Sequence, residues 1–559
     1  MLIYLNGDND LEDDLRDTLN NLVAAGPSPR ANVLVLIDGY TNTEYYTGTA
    51  LYDVTYGQAV SITTQLGPTL TVPSELNMGE GQTLAQFVNW GRNHYPSRFS
   101  MLSIVDHGGG WAPSNDIVPS GGALLKQHAW LAGGSGLSWD FSSGYDYLSS
   151  PELRQTMANI TNNGARPLDV VFYDVCLMGM VEVAYQIKDY ASVFVSSQNI
   201  GWSPEGPQGR YVQIIHGITP NMTPTQVGGL IVSSYATTLP PNEHPFTISA
   251  LDLTQLPLVA NAVSQLGIAV SQTLTSPDRA DVLHQVYNET QKVDYDGDFY
   301  IEPATDGFVD LYDFAIHAAQ HFTDTNIILA AHAVTEALTT AVIAEAHRSG
   351  SPWSAPNRVW NLDNTHGLSI FLPLGEDLKL PIVITETSPI TPNLEVTRNL
   401  RLRELYSSRE LQFVSDTDWG GLINEYYQVV SVTAVTKNEV PIGGLIEPDV
   451  AAPKTTITAT GATGLGSVVT LTWAAADVQP GSGVSSGSLW YHPPFGQWTA
   501  ILTQTSVSGI FSFTLSVPCT TGLAVRASDM AGNVEPVKSG SNTIFVDVPY
   551  CRYLPLVFR

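Results

Sequence analysis

Two strand-like runs in this 559-residue chain each end in a side chain able to make or break covalent bonds. The run Asp169–Tyr173 leads into Asp174 and Cys176, and a small-residue, helix-like segment follows. Met101–Val105 leads in the same way into Asp106, His107 and the glycines Gly108, Gly109 and Gly110. Strands of a parallel sheet bring their C-terminal ends to one edge, where active sites form, so residues distant in sequence meet there. A thiolate is a strong nucleophile, and a neighbouring imidazole takes its proton and later returns it to a leaving amine. His107 and Cys176 are therefore candidates for a Cys–His catalytic pair, with the backbone N–H groups of Gly108 and Cys176 placed to receive a developing oxyanion. The plainer alternative is a structural cysteine beside a strand-end histidine, and spacing alone does not choose between them.

Cysteine usage narrows the question. Of three cysteines, Cys519 and Cys551 lie in the C-terminal region and can pair in an oxidising compartment, which leaves Cys176 alone. An unpaired cysteine is either a small buried hydrophobe or a reactive thiol. Lys plus Arg number 24 against 53 Asp plus Glu, a net charge of −29. Such a surface repels phosphate backbones, and no basic stripe interrupts it, so nucleic acid is not an expected partner. The negative field suits solubility, and it also suits basic substrates. No apolar run approaches the ~18 residues a membrane-spanning helix needs. Met1–Leu5 reads as a strand and not as a charged leader, so no signal peptide is visible. Few charges and many Thr, Ser, Gly and Tyr nevertheless point to a secreted or cell-surface protein.

The elements that must position the pair follow from periodicity. Leu2–Leu5, Ala31–Ile37, Phe99–Val105, Leu168–Tyr173 and Ser192–Ser197 read as buried strands. Helical patterns lie between them or beyond, at Leu11–Val23, Gly81–Tyr95, Ser150–Asn162, Met178–Tyr190, Thr223–Thr238, Leu256–Thr273, Asp306–His321, Asn326–Arg348 and Leu411–Val429. Strand–helix–strand order predicts an α/β fold with a mostly parallel sheet flanked by helices. Tyr45–Thr64 reads as a hairpin, and His366–Pro373 as another strand. After about residue 430 the pattern changes to short alternating strands with Gly, Ser and Pro turns, which predicts an all-β sandwich. The expected organisation is 1–430, a linker 431–453, a sandwich 454–548 and a tail 549–559.

Several stretches, in order, resemble the clostripain family of cysteine peptidases: YLNGDNDLE (Tyr4–Glu12), VLVLIDG (Val33–Gly39), SIVDHGGGW (Ser103–Trp111), DVVFYDVCLMGMVEVAY (Asp169–Tyr185), SSQNIGW (Ser196–Trp202), FVDLYDF (Phe308–Phe314), GLSIFLP (Gly367–Pro373) and WGGLINEYY (Trp419–Tyr427). The resemblance covers about residues 1–430. It implies a caspase-like fold, Cys176 as nucleophile, His107 as general base and acid, and cleavage of protein or peptide substrates after Arg or Lys. Asp174, two residues before the cysteine, matches a position that the family associates with its primary specificity pocket, and Glu205 is a second, weaker candidate. Where the family often carries an acidic residue, this chain has Ser197-Gln198. Family members also cut themselves in the loop after the histidine, and Lys126 is the only Lys or Arg between Arg98 and Arg154. The chemistry needs no cofactor, although some members require calcium. Asp294, Asp296, Asp298 and Glu302 offer alternating carboxylates around a glycine turn, a candidate calcium loop that departs from EF-hand spacing.

Two other patterns are read as incidental. His317 and His321 have the spacing of zinc ligands but lack the glutamate of an HExxH motif. Gly483–Gly487 matches G-x-S-x-G outside any strand–turn–helix context. The C-terminal region resembles bacterial immunoglobulin-like or fibronectin-type modules, which attach enzymes to surfaces or partners. A binding protein on a peptidase-like scaffold, or a peptidase of different primary specificity, is the competing reading.

Overall fold

The computed structural model describes residues 1–28, 30–39, 48–62, 75–111, 136–144, 146–203, 209–240, 244–295, 299–375, 406, 411–437, 453–461, 467–476, 484–492, 499–514, 521–529 and 543–546. They divide into two compact units, one from Met1–Ile382 with Ile390–Asn438 and one including Glu439–Arg559.

The first unit is built on strands whose apolar runs exclude water from both faces, as a parallel sheet covered by helices requires. In chain order these are β1 (Leu2–Gly7), β2 (Leu34–Gly39), β3 (Ala50–Asp53), β4 (Val60–Ser61) and β5 (Met101–Val105). A separate hairpin, β6 (Leu137–Asp140) and β7 (Asp146–Leu148), comes next. Then come β8 (Leu168–Asp174), β9 (Ala191–Ser196), β10 (Phe246–Asp252), β11 (Phe308–Asp310), β12 (Val342–Arg348) and β13 (Ser369–Phe371). The main sheet has the order β12-β10-β9-β8-β5-β1-β2-β3-β4. Its five central strands, β9, β8, β5, β1 and β2, are parallel, and its outer strands are antiparallel. Alternate side chains feed two apolar cores, one on each face: Leu2, Tyr4, Ile104, Val171 and Tyr173 on one, Ile3, Leu5, Val105, Val170 and Phe172 on the other. Every strand of the parallel centre is thereby held in one register, because a shift by one residue would exchange the faces.

The helix expected over Asn326–Arg348 ends at Ala341. The remaining residues, Val342–Arg348, form β12, which pairs antiparallel with β10. β-branched Val342 and Ile343 fit a pleated edge, and β10 offers an open edge for them to pair with. β10 lies in a stretch for which the sequence pattern predicts no element. The strand expected at His366–Pro373 joins β11 in a two-stranded sheet of its own, and the helix after β11 begins at Leu311, capped by the Asp310 carboxylate. The stretch Leu253–Ser271 is long and apolar enough to cross a membrane by length and composition. Its side chains Leu256, Val259, Val263, Leu266 and Val270 are core members of this unit, which accounts for the apolarity.

The second unit contains a three-stranded and a four-stranded antiparallel sheet. Val469, Leu471, Trp473 and Phe511 from one share an apolar core with Leu489, Leu523 and Val525 from the other. Gly487 has a structural reason to be glycine: a Cβ there would lie 2.1 Å from the Trp473 ring. From Val484 on, the G-x-S-x-G match thus falls on a strand packed under a tryptophan. Cys519 and Cys551 lie outside the described residues.

Candidate active site

Register brings the two candidate catalytic residues to one edge. Leu5 of β1 lies opposite Val105 of β5, and Val105 lies opposite Asp174 of β8. His107 and Cys176 are therefore each two residues past a paired position on adjacent parallel strands. The loops that carry them touch. A Cβ on Gly108 would lie 2.3 Å from the Cys176 carbonyl oxygen and 2.7 Å from Val175 Cγ2, so only glycine permits this approach. On its other side the glycine loop is zipped to the segment before β6, through Gly109 N–H to the Gly136 carbonyl (2.9 Å) and Gly136 N–H to the Gly110 carbonyl (3.0 Å).

The loop that carries Cys176 is held against the end of β9. Leu177, at φ 61°, donates its N–H to the Asn199 carbonyl (3.1 Å), and Gly179 donates to the Ser197 carbonyl (2.7 Å). A branched residue in the left-handed region, directly after the cysteine, marks backbone strain at a functional position. The Cys176 thiol is half-buried and accepts the Gly201 N–H at 3.3 Å. Burial pushes the thiol up to about 11, against the lowering effect of that Gly201 bond, while nearby carboxylates add to the rise. A thiol so reluctant to ionise would act as a nucleophile only with a base beside it.

His107 is buried, and its Nε2 lies 2.9 Å from Asp10 Oδ1. Burial raises the Asp10 carboxyl, but its hydrogen bond and charge interaction with His107 outweigh that and hold it below the usual carboxylate range. Asp10 sits in the turn after β1, which Asn9 braces. The Asn9 side-chain amide donates to Asp106 Oδ1 (2.7 Å) and to the Trp139 carbonyl (2.9 Å), and Asp106 Oδ2 accepts the Trp139 N–H (2.5 Å). Register thus sets a thiol and an imidazole, with a carboxylate bound to the imidazole, at the ends of neighbouring strands, the types of group a hydrolytic triad uses. Sequence reading placed the acidic turn but not Asp10's part in it; the available signal was that β1 had to be β5's neighbour.

Asp174 points the other way and already has a partner. Arg210, the first residue of the helix Arg210–Gly217, donates Nη1–H to Asp174 Oδ1 at 2.5 Å and Nη2–H to the Trp202 carbonyl. Its guanidinium lies 3.8 Å from the Tyr235 ring centroid. Both members of the pair are buried, and burial raises the Asp174 carboxyl despite the lowering effect of Arg210. Nothing in the sequence around Arg210 singled it out. Glu205 and Lys126 lie outside the described residues, as do Asp296 and Asp298. Of the expected calcium loop, Asp294 is buried with its N–H on the Asn199 side-chain oxygen (3.0 Å), and Glu302 is exposed. His321 and His317 face Glu289 at 2.7 and 3.7 Å.

Comparison with known proteins gives the arrangement its context. Residues 3–425 match the model of the clostripain family, Peptidase_C11. The clostripain of Hathewaya histolytica is 23% identical over 429 residues, which is 67% of this chain and 74% of that protein. Among solved structures, a secreted C11 cysteine protease from Bacteroides thetaiotaomicron in complex with an irreversible peptide inhibitor superposes with a TM-score of 0.50. It is 16% identical and covers 75% of this chain and 98% of its own, a likeness of fold. An inactive zymogen C11 protease from Parabacteroides distasonis gives a TM-score of 0.49 at 17% identity, covering 74% of this chain and 96% of its own.

Proposed function

The chain belongs to the clostripain family and is a cysteine peptidase, and on that premise we propose that Cys176 attacks the peptide carbonyl while His107 takes its proton. The observation that carries this reading is the register of β5 and β8, which puts both residues two positions past paired Val105 and Asp174. Attack by Sγ forms a tetrahedral oxyanion facing the Gly108 and Cys176 N–H groups. His107 then protonates the departing amine, leaving a thioester on Cys176. Water, deprotonated by His107, hydrolyses that thioester and regenerates the thiol. Asp10 keeps the imidazole oriented throughout.

Cleavage after Arg or Lys is the specificity the family resemblance favours, with Asp174 as the carboxylate that reads the basic side chain. The Arg210–Asp174 pair supports a second reading, in which Arg210 neutralises that carboxylate and the pocket accepts an uncharged residue. A guanidinium on Asp174 fits either reading: it occupies the place a substrate arginine would take, or it removes the need for one. Fluorogenic peptides ending in Arg, Lys, Asp or Leu separate them, compared between the wild type and Arg210→Ala. Basic preference in the wild type favours the first reading. Basic preference gained only in Arg210→Ala favours the second. Loss of all hydrolysis in Cys176→Ala is expected under both, and hydrolysis that survives this change would overturn the assignment.

One structural relative is described as a zymogen and another as secreted. For this chain we extend both properties: export to the cell exterior, and self-cleavage after Lys126, which mass spectrometry of wild type and Cys176→Ala would detect as two fragments in the first and one chain in the second. Surface attachment through the C-terminal sheets belongs to the same proposal.

A further inference from the structure

His317 and His321 lack the neighbouring glutamate of an HExxH motif, but the fold brings them a different one. Both lie on the helix Leu311–His321, four residues apart and so on one face. That face meets Glu289, the last residue of the helix Pro277–Glu289. One nitrogen from each imidazole and one carboxylate oxygen of Glu289 lie within 4.8 Å of one another. Ligands held about 2.0–2.2 Å from one zinc ion lie roughly 3.4 Å apart in a tetrahedral shell, so small side-chain rotations bring these three atoms onto one ion.

A plain ion pair does not account for these contacts. Glu289 Oε1 accepts the Gln285 side-chain amide (3.0 Å), which leaves Oε2 for the histidines. Oε2 lies 2.7 Å from His321 Nε2 and 3.7 Å from His317 Nδ1. The second distance is too long for a hydrogen bond, and His317 Nδ1 is shielded from solvent with no hydrogen-bond partner. A buried polar atom without a partner needs a reason, and a bound ion is one. On the far side of the ring, His317 Nε2 faces Asp313 Oδ1 at 3.6 Å, and the Gln291 N–H fixes Asp313 through its Oδ2 (2.7 Å). A histidine that ligates through one nitrogen and turns the other to a carboxylate is the usual arrangement at zinc. Both helices also end here, at Glu289 and His321, and the partial negative charge of a helix C-terminus favours a cation.

We propose that Glu289, His317 and His321 form a zinc site that joins the ends of the two helices. Two imidazoles and one carboxylate are donors that suit zinc better than calcium, which prefers oxygen alone. The Glu289 side chain is 43% exposed and those of the histidines 19% and 22%, so an ion enters from solvent past the carboxylate and water completes its shell. Zinc bound to all three side chains would tie residue 289 to residue 321 and fix the chain between them. Within that segment the Asp294 N–H meets the Asn199 side chain, and the Asn199 carbonyl holds Leu177 beside Cys176. The ion is thus a brace for the segment packed behind the thiol and takes no part in the chemical step.

The test uses untagged, full-length Cys176→Ala protein stripped by chelator. Zinc then cannot bind the thiol, and the outcome is independent of the peptidase reading. Titration with zinc chloride against a chromophoric chelator should show one equivalent bound at micromolar zinc, with a rise in melting temperature. His317→Ala and His321→Ala should each weaken that binding at least tenfold, while His332→Ala, exposed on the helix Thr325–Ala341, leaves it unchanged. Both variants should melt near the parent in chelator and lose the rise that zinc gives it. A second measurement needs no variant: anomalous diffraction at the zinc edge, from crystals of the zinc-loaded protein, should place the ion between Glu289, His317 and His321. Zinc affinity unchanged in both histidine variants, an ion located elsewhere, displacement by equimolar calcium, or no saturable binding below millimolar zinc would overturn the proposal.

Discussion

At the scale of single residues the site depends on what holds His107. An imidazole that rotates away from the thiol is a poor base even when its chemistry is intact, so the Asp10 carboxylate, 2.9 Å from Nε2, is the side chain whose loss is most informative. Asp10 is itself about half exposed, so water competes for it and its effect is smaller than that of a buried triad carboxylate. We expect Asp10→Asn to lower kcat on the order of tenfold with little change in KM, and Asp10→Glu to recover part of the loss. Steady-state kinetics on one peptide decides this; equal loss in KM would assign Asp10 to substrate binding instead. The thiol presents the complementary case. Raised to about 11 by burial, it relies in the proposed mechanism on the imidazole as base, with the Gly201 N–H favouring its anion.

Between residues and the whole chain lie the loops at the strand ends. Gly108 packs on the Cys176 carbonyl so closely that Gly108→Ala must push one loop off the other. A displacement near 1 Å costs roughly a hundredfold in rate, while overpacking one buried loop end costs about 1–3 kcal/mol of stability. Activity should therefore fall much further than melting temperature, and full activity in the variant would show that the loops need not touch. These loops also show what the sequence made legible. Continuous apolar runs in β1, β2, β5, β8 and β9 announced buried parallel strands, and their polar endings located His107 and Cys176. Contacts made by residues without local pattern were hidden. Arg210 is one arginine at a helix start, and only the fold carries it to Asp174. β12 follows a helix without a break because pairing with β10, a contact across some hundred residues of chain, overrides the local helical pattern.

For the molecule as a whole, the pH range in which the peptidase unit stays folded follows from acids that folding buries. Glu182 is a clear case. It stands in the short helix Val181–Gln186 just after the nucleophile loop, with no exposed surface, and its Oε1 accepts the Phe371 N–H (3.0 Å) and the Tyr406 hydroxyl (2.8 Å). It thus joins the nucleophile's helix to β13 and to Tyr406. Its Oε2 is buried without a donor. Burial raises the carboxyl to about 7, partly opposed by the bonds to Phe371 and Tyr406. The folded state therefore binds this proton more tightly than the unfolded chain, whose carboxyl stays near 4.5. Below pH 4.5 both states are protonated and no penalty exists. As pH rises from there through 7 the unfolded state gains from ionising first, and stability falls by an amount on the order of 3 kcal/mol. Gln keeps the acceptor oxygen but cannot ionise, at the cost of a buried amide N–H group where Oε2 stood. Denaturant unfolding of Glu182→Gln and its parent between pH 4 and 9 should show the variant weaker or equal at the acid end. The difference should move in the variant's favour as pH rises from about 4.5 to about 7 and level off above that. A constant difference across that range would mean that Glu182 ionises as readily in the folded protein as in the unfolded one, and that the pH limit of the fold is set elsewhere.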